Sequence, residues 1–291
     1  MPIQWYPGHM AKTRVALAES MAKQDVILEV LDARMPSASA NPAITELRAG
    51  KPCIKLLSKS DLADAKVTRA WIEHLQSEGK ASGASGKVVA VAVTTAQPGD
   101  TRKHVAALSR KLVPRAETSI KPIRAMIVGV PNVGKSTMIN TLMNRKVAKV
   151  GDEPAVTKSR QVVTLESGMI LSDNPGLLWP DIVDDDASYR LALGGAIPDR
   201  VIDYEVVGMF AARFFLARYP ALLAERFKLT ELPQSAAALL AEIGRRRGCL
   251  RAGGVVDVHK AADILVHEFR TGKLGRISLE EPPIGATSAV G

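Results

Sequence analysis

Residues 129–136, Gly-Val-Pro-Asn-Val-Gly-Lys-Ser, have the types and spacing that hold phosphate. They match G-x-x-x-x-G-K-[ST] in full, directly after an apolar run and before a stretch of helical character. Gly129 and Gly134 let backbone N–H groups turn inward around a β-phosphate, Lys135 bridges β- and γ-phosphate oxygens, and Ser136 offers its hydroxyl to Mg²⁺. A helix starting near Lys135 adds the positive end of its dipole. Asn132, Val133, Gly134, Lys135, Ser136 and Thr137 are thus the candidate nucleotide contacts of this loop. Asp173-Asn-Pro-Gly176 follows a second apolar run, 37 residues past Ser136. A carboxylate there can hold the water shell of Mg²⁺, and Gly176 can swing its N–H toward a γ-phosphate. Between the two, Thr157 is a candidate to complete the Mg²⁺ shell with its hydroxyl.

A phosphate loop does not name the base. Ser58-Lys59-Ser60-Asp61, at the end of an apolar run, resembles the guanine-reading N-K-x-D motif, in which the Asp accepts two hydrogen bonds from the purine edge while the Lys stem lies along the base. Adenine cannot donate that pair. Ser58 stands where the motif has Asn, which removes an amide tying this loop to the phosphate loop and the base. Weaker nucleotide affinity is expected, with guanine preference kept through Asp61. Val93-Thr94-Thr95-Ala96 resembles the loop whose backbone N–H meets the guanine O6, making Thr95 and Ala96 candidate base contacts. These base-reading segments precede the phosphate loop, the reverse of their usual order. The chain reads as circularly permuted, and a parallel sheet with surface termini tolerates that rearrangement.

The elements that must position these residues are legible as alternation. Apolar runs at 25–31, 53–57, 87–93 and 123–128 read as buried strands, and 161–165 and 169–171 flank Ser167-Gly168 as a hairpin. Helical stretches at 42–49, 65–78 and 100–112 separate the first four. The pattern predicts an α/β fold, a mostly parallel six-stranded sheet with helices on both faces, over residues 1–180. From 181 to 291 the texture is helical, at 203–217, 220–227, 236–247 and 255–270, predicting a small all-α domain. Residues 179–199, rich in Asp and Gly, read as the connection, and the chain near Pro282 as the start of a frayed tail.

Bulk composition narrows the class. Apolar residues make up 46% and charged residues 24%, with no apolar run long enough to span a bilayer and no signal-like amino terminus, so a cytoplasmic protein without a membrane partner is expected. Two cysteines, Cys53 and Cys249, are too few for a disulfide framework or a four-ligand zinc site and read as buried thiols. The net charge is +9, and residues 1–180 carry 25 Lys and Arg against 15 Asp and Glu. Such an excess favours a polyanionic partner through counterion release.

Trp5-Tyr-Pro-Gly-His9-Met, Leu31-Asp32-Ala-Arg34-Met-Pro36, the permuted motif order and Asp173-Asn-Pro-Gly-Leu-Leu-Trp-Pro180 together resemble the bacterial ribosome biogenesis GTPase A (YlqF) family over essentially the whole chain. The resemblance implies a GTPase acting in late maturation of the large ribosomal subunit, binding GTP or GDP with Mg²⁺. It also implies a helical carboxyl domain, similar to the ANTAR fold, that contacts ribosomal RNA. The protein is expected to be a monomer off the ribosome. Leu177 follows Gly176 where many GTPases keep a Gln, so another group must orient water. The resemblance implies His9 in that catalytic role, alongside Lys135. Asn132 matches the position at which potassium-activated relatives bind K⁺. Arg245, Arg246, Arg247 and Arg251 are the local candidates for RNA phosphate contact, against the commoner reading of a solvated charged face. Two alternatives stay open from the residues themselves: a phosphate-loop kinase for a small metabolite, and an RNA-binding protein with a degenerate nucleotide site.

Overall fold

The chain's structure is a computed structural model that describes residues 10–81, 86–94, 96–115, 119–144, 162–173 and 185–283. Strand β1 (Val26–Asp32) reads VILEVLD and is buried along its whole length. Its five apolar side chains stabilise the fold by roughly 1.5–3 kcal/mol each. That outweighs the burial of Glu29 and Asp32, whose charges are paired with Lys55 and with Arg34 and Lys59. Runs of the same texture form β2 (Cys53–Ser58), β3 (Val88–Ala92) and β4 (Arg124–Val128), while the Ser167-Gly168 turn joins β5 (Val162–Thr164) to β6 (Ile170–Asp173). The six strands lie in the order β3-β2-β1-β4-β6-β5. Neighbours are parallel except the β5–β6 pair, which is antiparallel. The expected α/β sheet is therefore present, with strand ends shifted by one or two residues.

Period-two alternation divides the sheet's side chains between two helical layers. On one face Ile27, Cys53, Met126 and Val128 pack with Leu17 and Met21 of α1 (Met10–Ala22) and Ile44 of α2 (Pro42–Leu47). Leu31, Leu57 and Ala90 meet Trp71 and Leu75 of α3 (Ala65–Ala81) on that face. On the other, Leu28, Val30, Ile54, Leu56 and Ile127 meet Val105 and Leu112 of α4 (Pro98–Leu112) and Met138, Ile139 and Leu142 of α5 (Lys135–Met143).

The carboxyl half forms α6 (Asp185–Gly194), α7 (Tyr204–Arg218), α8 (Pro220–Phe227), α9 (Ala236–Arg246) and α10 (Val258–Arg270). Side chains of Asp203, Ser235 and Asp257 accept from first-turn N–H groups and fix the starts of α7, α9 and α10. Among the described residues no single helix is long and apolar enough to cross a membrane.

One expectation is corrected here. The segment read as a connection contains α6, because Leu191, Ala192 and Leu193 bury a helical face that its Asp and Gly content obscures. Residues 271–281, ahead of the expected tail, run back over the sheet half as a strap. Ile277 N–H donates to the Leu62 carbonyl (3.0 Å) and Leu279 N–H to that of Arg34 (2.6 Å). The Glu280 carboxylate accepts from the N–H groups of Ser37 and Ala38 at 2.7 and 2.9 Å. One continuous apolar core joins the strands to α6–α10.

Candidate functional site

In an open α/β sheet, ligands bind at the carboxyl ends of strands where the strand order reverses. Here the order runs outward from β1 to β2 and β3 on one side and to β4 on the other. The crevice between the ends of β1 and β4 is opened by Gly129. A Cβ there would lie 2.7 Å from the Val30 carbonyl oxygen and 2.9 Å from Val133 Cγ1, so only glycine lets the loop turn so close to β1. Asn132 and Gly134 take positive φ (54° and 101°), and Gly134 caps the start of α5. The first N–H groups of α5 consequently face the crevice, with Ser136 and Thr137 in its first turn.

Lys135 and Asp173 meet in this crevice. Their charged ends are 2.9 Å apart (Nζ–Oδ1), with side chains 7% and 2% exposed. The other oxygen, Oδ2, is buried and has no hydrogen-bond partner among the described residues. A buried carboxylate oxygen left unpaired is costly, and the water shell of a Mg²⁺ ion is the class of partner that suits it. With Ser136 one residue after Lys135, the donor set of hydroxyl and carboxylate fits that ion.

The expected base-reading segment, residues 58–61, lies at the end of the adjacent strand β2. Asp32 and Ser58 are register partners, and Ser58 points into the crevice. Its hydroxyl lies 2.9 Å from the Leu31 carbonyl and 2.5 Å from that of Val133. The expected loss of a tie at this position is corrected: the shorter serine reaches the phosphate loop itself. Gly134 packs beside it, a Cβ there lying 3.4 Å from Ser58 Oγ. Lys59, in a left-handed turn (φ 54°), donates to the Asn132 carbonyl at 3.0 Å and to Asp32 Oδ2 at 2.9 Å. Asp61 is exposed on the same turn, closed by Leu62 N–H to the Lys59 carbonyl. Ser60 Oγ donates to the Val93 carbonyl (3.0 Å), drawing in the loop that carries Ala96. The Ala96 N–H itself donates to Thr94 Oγ1 at 3.2 Å.

Sequence reasoning gave no role to Asp32 and Arg34. The Asp32 carboxylate accepts from Arg34 Nε (2.9 Å), Nη2 (2.8 Å) and N–H (3.0 Å) as well as from Lys59. Burial raises the Asp32 pKa, but the charges and hydrogen bonds of Arg34 and then Lys59 outweigh it and hold the carboxyl well below the usual range. The advance signals were the Leu31-Asp32-Ala-Arg34-Met-Pro36 motif and a carboxylate closing a mostly apolar strand.

Asn132 Nδ2 donates to the Gly195 carbonyl at 2.9 Å, linking the phosphate loop to the turn after α6. Arg245 and Arg246 pair with Glu242, Arg247 with Glu268, and Arg251 with Asp257, so none of the four stands apart from an acidic partner. Cys53 is buried, and burial with Glu29 nearby pushes its thiol up to about 12. His9, Thr95, Thr157 and Gly176 lie outside the described residues.

A family model described as 50S ribosome-binding GTPase matches residues 124–200. Ribosome biogenesis GTPase A of Priestia megaterium is 41% identical over 290 residues, spanning 97% of this chain and 98% of that protein. The Thermotoga maritima protein of the same name is 32% identical, spanning 96% and 95%. The solved structure of GNP-bound YlqF from T. maritima is similar with a TM-score of 0.63 at 28% identity, covering 94% of this chain and 99% of that one. By its near-full-length relatives, its sheet and its permuted motif order, the chain belongs to the ribosome biogenesis GTPase A family.

Proposed function

We propose that the protein binds GTP in the β1–β4 crevice, hydrolyses it to GDP and phosphate, and acts as an assembly factor for the large ribosomal subunit. The observation that carries the reading is the junction of two loops distant in sequence. Ser58 and Lys59 contact the backbone of Val133 and Asn132, which brings the Asp61 turn alongside the phosphate loop.

In this reading the Asp61 carboxylate accepts from the guanine ring N–H and exocyclic amine. The Lys59 stem lies along the base, and Ala96 N–H turns from Thr94 Oγ1 to the guanine O6, with Thr95 beside it. The N–H groups of Val133 to Thr137 surround the phosphates, and Lys135 leaves Asp173 for the β- and γ-oxygens. That exchange frees the carboxylate for the hydrated metal. Ser136, Thr157 and Asp173 would hold Mg²⁺, which when bound neutralises charge developing on the phosphate oxygens. Gly176 would turn its N–H to the γ-phosphate and His9 would orient the attacking water. K⁺ at Asn132 and stimulation of turnover by ribosomes belong to the same proposal.

The helical half, residues 181–291, is proposed to contact ribosomal RNA. The side chains of Arg245 and Arg251 are 62% and 61% exposed in ion pairs at the surface. Exposed pairs contribute at most about 1 kcal/mol, so phosphates can displace their acidic partners. The names of the relatives and of the matching family model support a ribosomal partner. The test is a depletion strain rescued by wild type or by Lys135→Ala. A large-subunit precursor that accumulates on depletion and persists with Lys135→Ala supports the reading, and normal large-subunit profiles on depletion oppose it.

A further inference from the structure

Arg34 touches no part of the nucleotide crevice directly. Its side chain is 1% exposed and forks onto Asp32. The remaining nitrogen, Nη1, donates to the Phe269 carbonyl at 3.1 Å, and the guanidinium lies 4.4 Å from the centre of the Phe269 ring. Phe269 is the penultimate residue of α10. One carboxylate, Asp32, therefore joins the base-reading Lys59 to the last turn of a helix more than 200 residues later. Lys59 depends on that carboxylate: burial lowers its pKa, and the Asp32 charge is the principal influence opposing the shift.

The same corner of the helical half lies behind the phosphate loop. Arg270, next to Phe269, donates to the carbonyls of Leu193 (3.1 Å) and Ala192 (2.8 Å) at the end of α6. The following residues reach Gly195, whose carbonyl receives Asn132 Nδ2. Beyond α10, Gly272 (φ 74°) packs so closely on Leu62 that a Cβ would lie 2.6 Å from its Cδ2. The base-reading turn and the phosphate loop thus rest against a single edge formed by the ends of α6 and α10.

We propose that Arg34 is a positioning residue for guanine-nucleotide binding, transmitting the seating of α10 to Lys59 through Asp32, so that displacing the end of α10 loosens the nucleotide. This rests on the guanine-nucleotide reading of the site. A guanidinium suits the task because its planar fork fixes the carboxylate in two bonds and still offers a third N–H and a flat face to the helix. A partner that grips the helical half would thereby change nucleotide release without touching the crevice, since a ligand shifts an equilibrium only through contacts that differ between its states.

The test uses the full chain loaded with a fluorescent GDP analogue, with release rate and thermal midpoint measured on the same samples. Arg34→Lys keeps a charge beside Asp32 but not the fork, and Phe269→Leu keeps the helix carbonyl and an apolar side chain but not the ring. Leu239→Val, in the buried core of α9, serves as the control for stability alone. Arg34→Lys and Phe269→Leu are expected to release the analogue about tenfold faster, while Leu239→Val lowers the midpoint and leaves release at the wild-type rate. Release in both variants at the wild-type rate, or changes in all three that simply follow the midpoint, would overturn the inference. A wild-type chain unable to retain the analogue would sink the nucleotide reading itself, an outcome separable from the first because it appears before any substitution.

Discussion

The hydroxyl of Ser58 lies 2.5 Å from the Val133 carbonyl, so the loop proposed to read the base and the loop proposed to grip phosphate share a hydrogen bond within a chain that encodes them 75 residues apart. A hydroxyl has one proton and two carbonyls within reach, Leu31 being the second. Ser58→Ala would leave both acceptors buried with nothing in place of the donor. The expected cost is about 1–2 kcal/mol, read as a GDP affinity roughly 5- to 30-fold weaker by calorimetry. Unchanged affinity would mean that the loops are held together by Lys59 alone.

Gly129 is expected to tolerate no side chain. In Gly129→Ala the methyl group meets the Val30 backbone at 2.7 Å, and backbone cannot turn aside as a flexible side chain does. Overpacking of this kind costs about 1–3 kcal/mol, so both a lower thermal midpoint and a loss of nucleotide binding are expected. A midpoint equal to wild type would show that the phosphate loop lies farther from β1.

The buried Asp32 gives a pH dependence of known sign. Its folded-state pKa is depressed, so its contribution to stability is complete above the unfolded value, about 3.9, and is lost as pH falls below it. Asp32→Asn leaves Arg34 and Lys59 buried without their carboxylate, a loss of about 3–5 kcal/mol near neutrality. Urea midpoints of wild type and Asp32→Asn should differ by a constant amount from pH 5 to pH 7, in rough terms, and converge on acidification toward about pH 3. A gap that widens in acid would contradict the ionised assignment.

The fold and the phosphate chemistry were legible because both are written in local sequence. Short, mostly apolar runs announce the strands, and Gly129, Gly134, Lys135 and Ser136 announce a phosphate loop by spacing alone. The contacts that assemble the site were not legible. That Asp32 meets Lys59, or Arg34 meets Phe269, depends on which strands become neighbours and where α10 ends, and no periodicity encodes those pairings. The Asn-to-Ser change illustrates the limit. Residue type suggested a missing tie, but the separation between β2 and the phosphate loop decides whether a hydroxyl can span it. Helix α6 was masked by the Asp and Gly content of its surroundings, and the strap at 271–281 by the Pro-Pro that follows it.

The strap offers a further check on how the halves hold together. Glu280 is buried, and burial raises its pKa even though the Ser37 and Ala38 N–H groups stabilise its charge. Glu280→Ala removes the acceptor for both N–H groups and should free the carboxyl end, seen as faster proteolysis beyond residue 270 with the sheet half still protected. Equal protection of the strap in the variant would show that Ile277 and Leu279 hold it without the carboxylate.

The central claim is that Asp61 and Lys135 serve one purine nucleotide. Parallel titrations of wild type and Asp61→Asn with the diphosphates of guanosine, adenosine and xanthosine test it most directly. An asparagine amide donates where the carboxylate accepts, and the xanthine 2-carbonyl accepts where the guanine amine donates. Wild type is expected to prefer GDP over ADP by at least about a hundredfold, and Asp61→Asn to exchange GDP for the xanthosine nucleotide. Equal binding of GDP and ADP by wild type, or GDP binding untouched by Asp61→Asn, would contradict the account.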